Sequence, residues 1–362
     1  MNKYIKEHYC LFDEAPKKKF SLTEGMLSVL SNPCVHFLLF GVVMIVIGYL
    51  SGNRILPYSL QSGLAVTFSY SIAAIGFCLL MGYSGLASLG TGGFIGIGCY
   101  SLYYVMDVAM YNVGEAILVG VAIAVVIGLI VGFISLRIEG IYLVILTLGL
   151  SEILRNLFMA LQDSIYLSGV WLFGINLKRT ESIYVVVTLL VIVMIITRNI
   201  IVSPTGRAML AMKNSTAAAQ AMGISLMKYR LLAFVLCTVY AVLSGMMLMI
   251  TVRSAMASDG NGFYSLITSL NILAAVIIGG YRSIWGAIFG SFIMYGMQTM
   301  FLNNIPFLQK NPEFITFIAG ILVIIVVMFY PGGLAQLMLE AKAGLQKLLR
   351  KRKEWRYGKD LG

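Results

Sequence analysis

The sequence predicts an all-α, polytopic membrane protein with about ten transmembrane helices. Of its 362 residues, 59% are hydrophobic and only 11% are charged, whereas a soluble domain carries about 25% charged residues. Several uncharged runs reach the roughly 20 residues with which a helix crosses a ~30 Å hydrocarbon core. Glycine-rich stretches interrupt some of these runs. They indicate broken helices, which are accepted at membrane depth only inside protein or beside a cavity.

Ten spans are predicted, and their order sets the orientation of the chain. If the first span begins inside, 20 of the 26 lysines and arginines lie on the cytoplasmic side and five lie outside. This asymmetry is what the positive-inside rule requires, so both termini are expected in the cytoplasm. The net charge of +11 is then a topology signal, and no nucleic-acid partner is expected. The predicted spans are 35–51, 58–80, 92–106, 116–136, 141–161, 183–197, 231–251, 266–281, 284–303 and 313–330.

Three regions are expected along the chain. Residues 1–33 form a basic cytoplasmic segment without a cleavable signal peptide, and residues 34–335 form the membrane domain. Residues 336–362 form a basic amphipathic tail suited to anionic lipid headgroups. The five cysteines show no framework spacing and the two histidines lie near the N-terminus, so neither a metal site nor another cofactor is expected.

The segment 82–98 interrupts the longest uncharged run. It carries Gly82, Gly85, Ser88 and Gly90 in its first half. Gly92 and Gly96 follow with the four-residue spacing that lets helices approach closely. Two interpretations remain open, and they do not exclude each other: the glycines serve tight helix packing, or the segment lines a substrate path.

The predicted span 141–161 carries two charges. Glu152 and Arg155 are three residues apart, so they lie on one helix face and can pair. A charge at the centre of a span costs about 2.5–3.5 kcal/mol on insertion scales, so it rarely faces lipid. The pair is either a structural contact near the outer surface or, with Thr147, a polar lining of a translocation path.

A weak internal repeat links the two halves of the chain. Gly82-Tyr83-Ser84 ends the second span and Gly280-Tyr281-Arg282-Ser283 ends the eighth, and a short glycine-rich span follows each. Both turns are predicted on the cytoplasmic side. Broken helices at matching places in two halves are typical of a transport site. Between the halves, the outer loop 162–181 carries aromatic residues that suit an interfacial anchor or a landing surface.

The cytoplasmic loop 203–230 has the signals of two short helices. Ser203 and Pro204 suit a helix start, Asn214 or Ser215 suits a second start, and Gly223 suits a left-handed end. Such a loop offers a surface to another protein, although a solvated linker remains an alternative. The chain contains no GxxxxGK[ST] phosphate-binding motif, so it is not expected to hydrolyse nucleotide itself.

These motifs together resemble the LivM-type permeases of ABC importers for branched-chain amino acids. The first signature is carried by Gly82, Gly85, Ser88, Leu89, Gly90, Phe94, Gly96, Gly98 and Tyr100. The second is carried by Arg137, Gly140, Tyr142, Thr147, Leu148, Glu152 and Arg155. The loop motif is carried by Gly206, Arg207, Ala208, Ala211, Lys213, Ala218, Ala219, Met222, Gly223 and Ile224. Later motifs are carried by Gly279, Gly280, Ser283, Trp285, Gly286, Pro331, Gly333 and Leu334.

The resemblance implies a transporter subunit in a bacterial inner membrane that is not itself an enzyme. Its partners would be two ABC ATPase subunits, a second permease subunit and an extracytoplasmic substrate-binding protein. A coupling helix in the loop would contact the ATPase through Gly206, Arg207, Ala211, Lys213, Asn214, Ala218 and Gly223. The translocation path would be lined by Gly82, Gly85, Ser88, Gly90, Thr147, Glu152 and Arg155.

Alternatives concern the substrate and the energy source. Family permeases usually carry an acidic residue where Thr216 stands here, and related permeases carry urea, nucleosides or sugars. An ion-coupled secondary transporter would need titratable groups at the midplane, where the sequence offers little beyond Glu152. A membrane scaffold without transport activity is a third possibility.

Overall fold

A computed structural model gives the structure of the protein over residues 33–52, 58–135, 140–172, 174–258 and 262–300, and at nine single positions between 314 and 336. The predicted N-terminal segment, the tenth span, the C-terminal tail and Arg137 lie wholly or largely outside these described residues.

Helices dominate the described chain. The first five are α1 (Pro33–Gly52), α2 (Tyr58–Phe77), α3 (Thr91–Tyr103), α4 (Val113–Ser135) and α5 (Ile141–Gln162). They are followed by α6 (Ser182–Val202), α7 (Pro204–Asn214), α8 (Thr216–Ala221) and α9 (Leu226–Val252). The last are α10 (Leu266–Gly279), α11 (Ile284–Ser291) and α12 (Met297–Met300). Three π-helical segments extend α2, α3 and α11, over Cys78–Ser84, Tyr104–Val108 and Phe292–Gly296.

Six of the described helices are long and apolar enough to cross a membrane, and α10 is a shorter apolar helix. Each of the first nine predicted spans overlaps a described helix. The ninth, 284–303, covers α11, its π-helical extension and α12, and its last three residues lie outside the described part of the chain. Side chains such as Leu118, Ile130 and Phe133 of α4 point away from the body and remain exposed, as expected for contact with hydrocarbon. The protein is therefore a polytopic α-helical membrane protein.

The core forms around α9, which packs against α2, α3 and α4. Small residues bring these helices together. A Cβ atom added at Gly98 of α3 would lie 2.1 Å from the Val242 carbonyl oxygen of α9. In return, one added at Gly245 of α9 would lie 2.0 Å from the Ile95 carbonyl oxygen of α3. Gly128 of α4 likewise faces Thr238. The predicted role of glycine in close packing is therefore confirmed at this centre.

The predicted break in segment 82–98 is present. After its π-helical end, α2 stops at Gly85, whose φ of 76° is left-handed, and α3 begins only at Thr91. The two turns of the internal repeat lie against each other, because a Cβ atom at Gly82 would lie 1.9 Å from the Tyr281 carbonyl oxygen. They also lie on the same side as α7, since Lys213 of α7 contacts both turns. We call this side the α7 side.

Four short strands are an addition to the predicted helical architecture. Strands β1 (Ser164–Tyr166) and β4 (Ser254–Met256) pair antiparallel, with Ile165 opposite Ala255. Strands β2 (Trp171–Leu172) and β3 (Ile175–Asn176) form a hairpin. This is the segment predicted as an aromatic loop. The pairing of β1 with β4 depends on residues about 90 positions apart, so local sequence patterns do not reveal it. We call the end of the molecule that carries these strands the strand side.

The loop between α6 and α9 is shorter than predicted. Helix α9 begins at Leu226, inside the segment expected to be a loop, and ends at Val252, followed by Arg253 with a left-handed φ of 64°. The two helices expected in the loop are both present as α7 and α8. The predicted two-helix organisation of residues 203–225 is therefore confirmed.

Candidate functional site

The start of α3 is held by hydroxyl groups from two other helices. The Leu89 N–H donates to Thr147 Oγ1 of α5 at 3.0 Å. The Gly92 N–H donates to Ser269 Oγ of α10 at 2.8 Å, and the Gly93 N–H donates to Ser151 Oγ of α5 at 2.9 Å. The first amide groups of any helix lack partners within that helix. Here side chains from other parts of the chain satisfy them. We call Thr147, Ser151 and Ser269 the hydroxyl cluster.

Spacing and the absence of side chains bring the cluster together. Thr147 and Ser151 are four residues apart, so both lie on the face of α5 that meets α3. Gly92 admits α10 because a Cβ atom there would lie 2.7 Å from the Ser265 carbonyl oxygen. All three hydroxyl residues are almost completely buried, with exposures of 0%, 1% and 0%. The cluster is a polar site inside an apolar helical body.

Helix α10 begins inside that body as well. Ser265 caps it, since the Thr268 N–H donates to Ser265 Oγ at 3.2 Å. The preceding residue, Tyr264, is buried and packs against the rings of Tyr100 and Phe158. Irregular backbone at the starts of both α3 and α10 is therefore enclosed by protein, as it must be at membrane depth.

The predicted path residues fall into three places. Gly82 and Gly85 lie on the α7 side, against Tyr281 and Lys213 respectively. Ser88 and Gly90 lie at the start of α3, where the Gly90 N–H donates to Ser88 Oγ at 3.3 Å. Thr147 belongs to the hydroxyl cluster at the start of α3. It therefore lies beside Ser88 and Gly90 and away from Gly82 and Gly85.

The predicted ion pair of α5 is present. Arg155 Nε lies 3.0 Å from Glu152 Oε2, and the two side chains are 24% and 35% exposed. They lie further along α5 than the hydroxyl cluster, toward the strand side. Glu152 directly follows the buried Ser151, so the pair adjoins the hydroxyl cluster along α5 but lies on a partly exposed face of the helix.

Sequence reasoning missed two members of the hydroxyl cluster. Ser151 carried a signal, because it lies four residues after Thr147. Ser269 carried none, because its role depends on α10 packing beside Gly92, far away in the sequence.

Helices α7 and α8 form a capped pair on the α7 side. Ser203 Oγ accepts from the Gly206 N–H, Pro204 occupies the first helical position, and Ser215 Oγ accepts from the Ala218 N–H at 3.3 Å. Ser215, and not Asn214, is therefore the second cap. Gly223 has the left-handed φ of 80° expected for a helix end.

The pair has a packed face and a free face. The buried residues are Gly206, Ala208, Met209, Met212 and Ala219. Among the predicted coupling residues, those exposed are Arg207, Ala211, Asn214, Ala218 and Gly223. Beside them Met222 is a large apolar side chain that is 84% exposed. Gly206 has a structural reason for its small size, since a Cβ atom there would lie 2.4 Å from the Ile201 carbonyl oxygen.

Lys213 differs from the other predicted coupling residues. Its Nζ donates to the carbonyl oxygens of Met81 at 3.0 Å and Gly82 at 2.9 Å. It therefore points into the helical body and not toward the free face of α7 and α8. Burial lowers the pKa of the Lys213 ammonium and the charge of Arg282 lowers it further, whereas Cys78 opposes the shift.

On the strand side two arginines tie the loops to the end of α9. Arg179 donates to the carbonyl oxygens of Thr251 and Val252, and Arg253 donates to the Leu177 carbonyl oxygen. A cation at the C-terminal carbonyls of a helix is favoured by the helix dipole. Within the described part of the chain, no group of three or more His, Cys, Asp or Glu residues could hold a metal ion.

Comparison with known proteins identifies the family. A family model described as the permease component of branched-chain amino acid transport systems matches residues 59–327. The high-affinity branched-chain amino acid transport system permease protein LivM of Escherichia coli (strain K12) is 24% identical over 319 residues, which cover 78% of this chain and 72% of that protein. LivM of Salmonella typhimurium (strain LT2) shows the same identity and coverage.

A more distant relative matches part of the chain. The probable ABC transporter permease protein YphD of Escherichia coli (strain K12) is 27% identical over 160 residues, covering 44% of this chain and 46% of that protein. No solved structure matches the chain. The family match spans the hydroxyl cluster, the ion pair of α5 and the capped pair of α7 and α8. The chain therefore belongs to the family of permease components of branched-chain amino acid transport systems.

Proposed function

We propose that this permease subunit moves leucine, isoleucine and valine into a bacterial cell, driven by ATP hydrolysis on two separate ABC ATPase subunits. A zwitterion cannot cross hydrocarbon unaided, because each bare charge there costs several kcal/mol or more. A protein-lined route is therefore needed. The observation that carries the proposal is the capped α7–α8 pair, which stands between two long spans with one face packed and one face free.

The free face of α7 and α8 is proposed to dock on the ATPase. A solvated linker between spans has no need of two capped helices or of an apolar side chain as exposed as Met222. Exposed apolar side chains at the centre of a polar surface are typical of interface anchors. Arg207, Asn214 and Gly223 would surround this anchor. Gly206 would act indirectly, by letting α7 begin directly after α6.

The translocation path is proposed to pass the start of α3. Ser88, Gly90 and Thr147 belong to a region where polar groups and irregular backbone lie within the helical body. The half-helices α3 and α10 both begin there, an arrangement that transporters use for substrate sites near the bilayer midplane. Gly82 and Gly85 would lie at the α7-side end of this route, and Glu152 and Arg155 nearer the strand side.

The orientation and the partners follow from the same proposal. The α7 side would face the cytoplasm and the strand side would face outward, with both termini inside and the basic tail on anionic lipid. The exposed Tyr166, Trp171 and Met256 would then face an extracytoplasmic substrate-binding protein. A second permease subunit would complete the membrane part of the assembly in the inner membrane.

The test is purification of the full chain from its native host with mild detergent, through a tag after Gly362. We expect two ATPase subunits and a second permease to co-purify, and the complex in liposomes, with the binding protein, to accumulate leucine only when ATP is supplied. A chain that purifies without ATPase, and whose uptake collapses with an ionophore at constant ATP, would be an ion-coupled transporter. Normal ATP-driven uptake of urea, a nucleoside or a sugar instead of leucine would contradict the substrate assignment alone.

A further inference from the structure

Lys213, the penultimate residue of α7, connects three separate elements of the α7 side. Its Nζ donates to the carbonyl oxygens of Met81 and Gly82 in the π-helical end of α2. The same nitrogen lies 4.4 Å from the centroid of the Tyr281 ring, in the turn between α10 and α11. One cation therefore joins the loop helix α7 to the ends of two helices from different halves of the chain.

The end of α2 suits a cation. The last carbonyl groups of a helix carry a partial negative charge and lack partners within the helix. A lysine ammonium has three donors, and two of them serve Met81 and Gly82 here. The third direction meets the face of an aromatic ring, which attracts a cation as well.

Two effects disfavour the positive charge of Lys213 in this position. The side chain is partly buried, and Arg282 lies near the same ring, with its Cζ atom 5.9 Å from the Tyr281 centroid. Both effects lower the pKa of the Lys213 ammonium. The side chain of Lys228 in α9, by contrast, is exposed.

The two helix ends that Lys213 joins are already fixed to each other. Cys78 Sγ donates to the Tyr281 carbonyl oxygen at 3.0 Å, and Tyr83 Oη donates to the Arg282 carbonyl oxygen at 3.2 Å. Gly82 allows this approach because it has no side chain. The end of α2 and the turn after α10 therefore form one unit, and a displacement of Lys213 acts on both.

We propose that Lys213 is the positioning residue that makes α7 move as one body with the ends of α2 and α10. This inference rests on the proposed function, in which α7 and α8 receive movement from the ATPase. The chain joins α7 and α8 directly only to α6 and α9. Helices α2 and α10 carry the glycine-rich turn and Ser269, and their link to α7 is non-covalent. Helix α7 packs directly against the π-helical end of α2, and Lys213 adds to that packing its hydrogen bonds and its contact with Tyr281.

The first test compares Lys213→Met with Lys213→Arg and with the control Lys228→Met. Each variant is purified as the full complex and reconstituted with the binding protein, and leucine moved per ATP hydrolysed is measured. For Lys213→Met we expect normal ATPase co-purification and continued hydrolysis, but about tenfold less leucine per ATP, since typical coupling energies correspond to such factors. Arginine restores part of this ratio because it supplies donors and charge, and Lys228→Met leaves it unchanged.

The outcomes separate this inference from the proposed function. A merely structural lysine would lower the yield of complex and leave leucine per ATP unchanged, which would overturn the inference alone. Absence of ATPase subunits from the wild-type preparation would overturn the inference and the proposed function together.

A second test replaces the hydrogen bonds of Lys213 by a covalent bond between α7 and α2. A Cβ atom at Gly85 would lie 3.8 Å from Lys213 Cβ, a spacing typical of disulfides, about 3.8 Å. In a Cys78→Ser background, reduced Gly85→Cys/Lys213→Cys should transport as poorly per ATP as Lys213→Met, and oxidation should restore the ratio. Gly85→Cys alone is the control, because φ at this position is 76°. If the completely oxidised double variant moves less leucine per ATP than oxidised Gly85→Cys alone in the same background, α7 and α2 do not move as one body and the inference is wrong.

Discussion

At the scale of single residues, glycines, which have no side chain, decide how closely the helices approach. Gly98 and Gly245 place the backbones of α3 and α9 in direct contact, each beneath a carbonyl oxygen of the other helix. Without a strong hydrophobic drive between helices in lipid, such close packing is a main source of association. A flexible neighbouring side chain could move away from an added methyl group, but a backbone carbonyl cannot.

We therefore expect Gly98→Ala to destabilise the protein by about 3 kcal/mol, the upper end of typical overpacking costs. The measurement is the thermal unfolding midpoint in detergent. Gly149→Ala on α5 is the matched control, because an added Cβ atom meets nothing within 4 Å there. That change should be neutral or gain up to about 1 kcal/mol of helix propensity. Equal midpoints for the two variants would show that α3 and α9 are not in backbone contact.

Buried hydroxyl groups act at the same scale. Ser269 is 0% exposed and accepts the Gly92 N–H. Ser269→Ala leaves that donor unsatisfied, so we expect a loss of about 1–3 kcal/mol in the free energy of unfolding. Thr188→Ala is the control, since the exposed Thr188 hydroxyl donates only to Tyr184 of its own helix. The thermal unfolding midpoints of the two variants, measured in one detergent, should differ. If Ser269→Ala were as stable as the control, Ser269 would not hold the start of α3.

At the scale of elements, the short helices pack some residues against the rest of the protein and leave others exposed. The pair α7 and α8 turns Ala208, Met209, Met212 and Ala219 inward and leaves Met222 exposed. On the opposite side of the molecule, Arg179 holds the end of α9 as Lys213 holds the end of α2. Cations from connecting segments thus cap two helices of the membrane domain, which fixes the segments without long strands or disulfides.

The exposure of Met222 gives a sharp test of docking. Met222→Asp should reduce ATPase co-purification by about tenfold or more, since loss of a central anchor commonly costs at least about 2 kcal/mol. Met110→Asp is the matched control, because Met110 is a similarly exposed methionine, at 81%, near the strand side. Both variants should reach the membrane in normal amounts. Undiminished ATPase binding by Met222→Asp would place the docking surface elsewhere.

At the scale of the whole molecule, the six long helices and the shorter broken ones enclose an apolar interior that contains the buried hydroxyl cluster. Their outer faces are apolar, whereas the backbone breaks at the starts of α3 and α10 lie deep among other helices. The loops of α7–α8 and of β1–β4 lie at opposite ends of α6. The orientation of the protein in the membrane is therefore known once the end of α6 that faces the cytoplasm is known.

Impermeant maleimide distinguishes the two ends. In a chain whose five native cysteines are replaced by serine, Trp171→Cys should be labelled on intact spheroplasts, and Met222→Cys only after the membrane is opened. The expected orientation follows from the 20 basic residues assigned to the cytoplasmic side. The reverse labelling pattern would invert the proposed topology and exclude the ATPase from α7 and α8.

Much of this protein followed from local pattern. Apolar runs of span length predicted the helices, because a helix in lipid must satisfy its own backbone. Ser203, Pro204 and Gly223 marked ends of α7 and α8, because capping depends on a few adjacent residues, while the sequence left Asn214 and Ser215 as alternatives for the second cap. Glu152 and Arg155 form the ion pair that their spacing predicted. These features are local, so the amino-acid sequence by itself determined them.

Other features were decided only by the tertiary structure. Ser269 reaches Gly92 across 177 positions, and Lys213 reaches Met81 across 132. The pairing of β1 with β4 and the inward direction of Lys213 likewise depend on which helices become neighbours. A side chain's partners over such distances are set by packing of the whole chain and not by local periodicity. The sequence therefore determined the helices and their caps, while the tertiary structure decided which residues meet in the site.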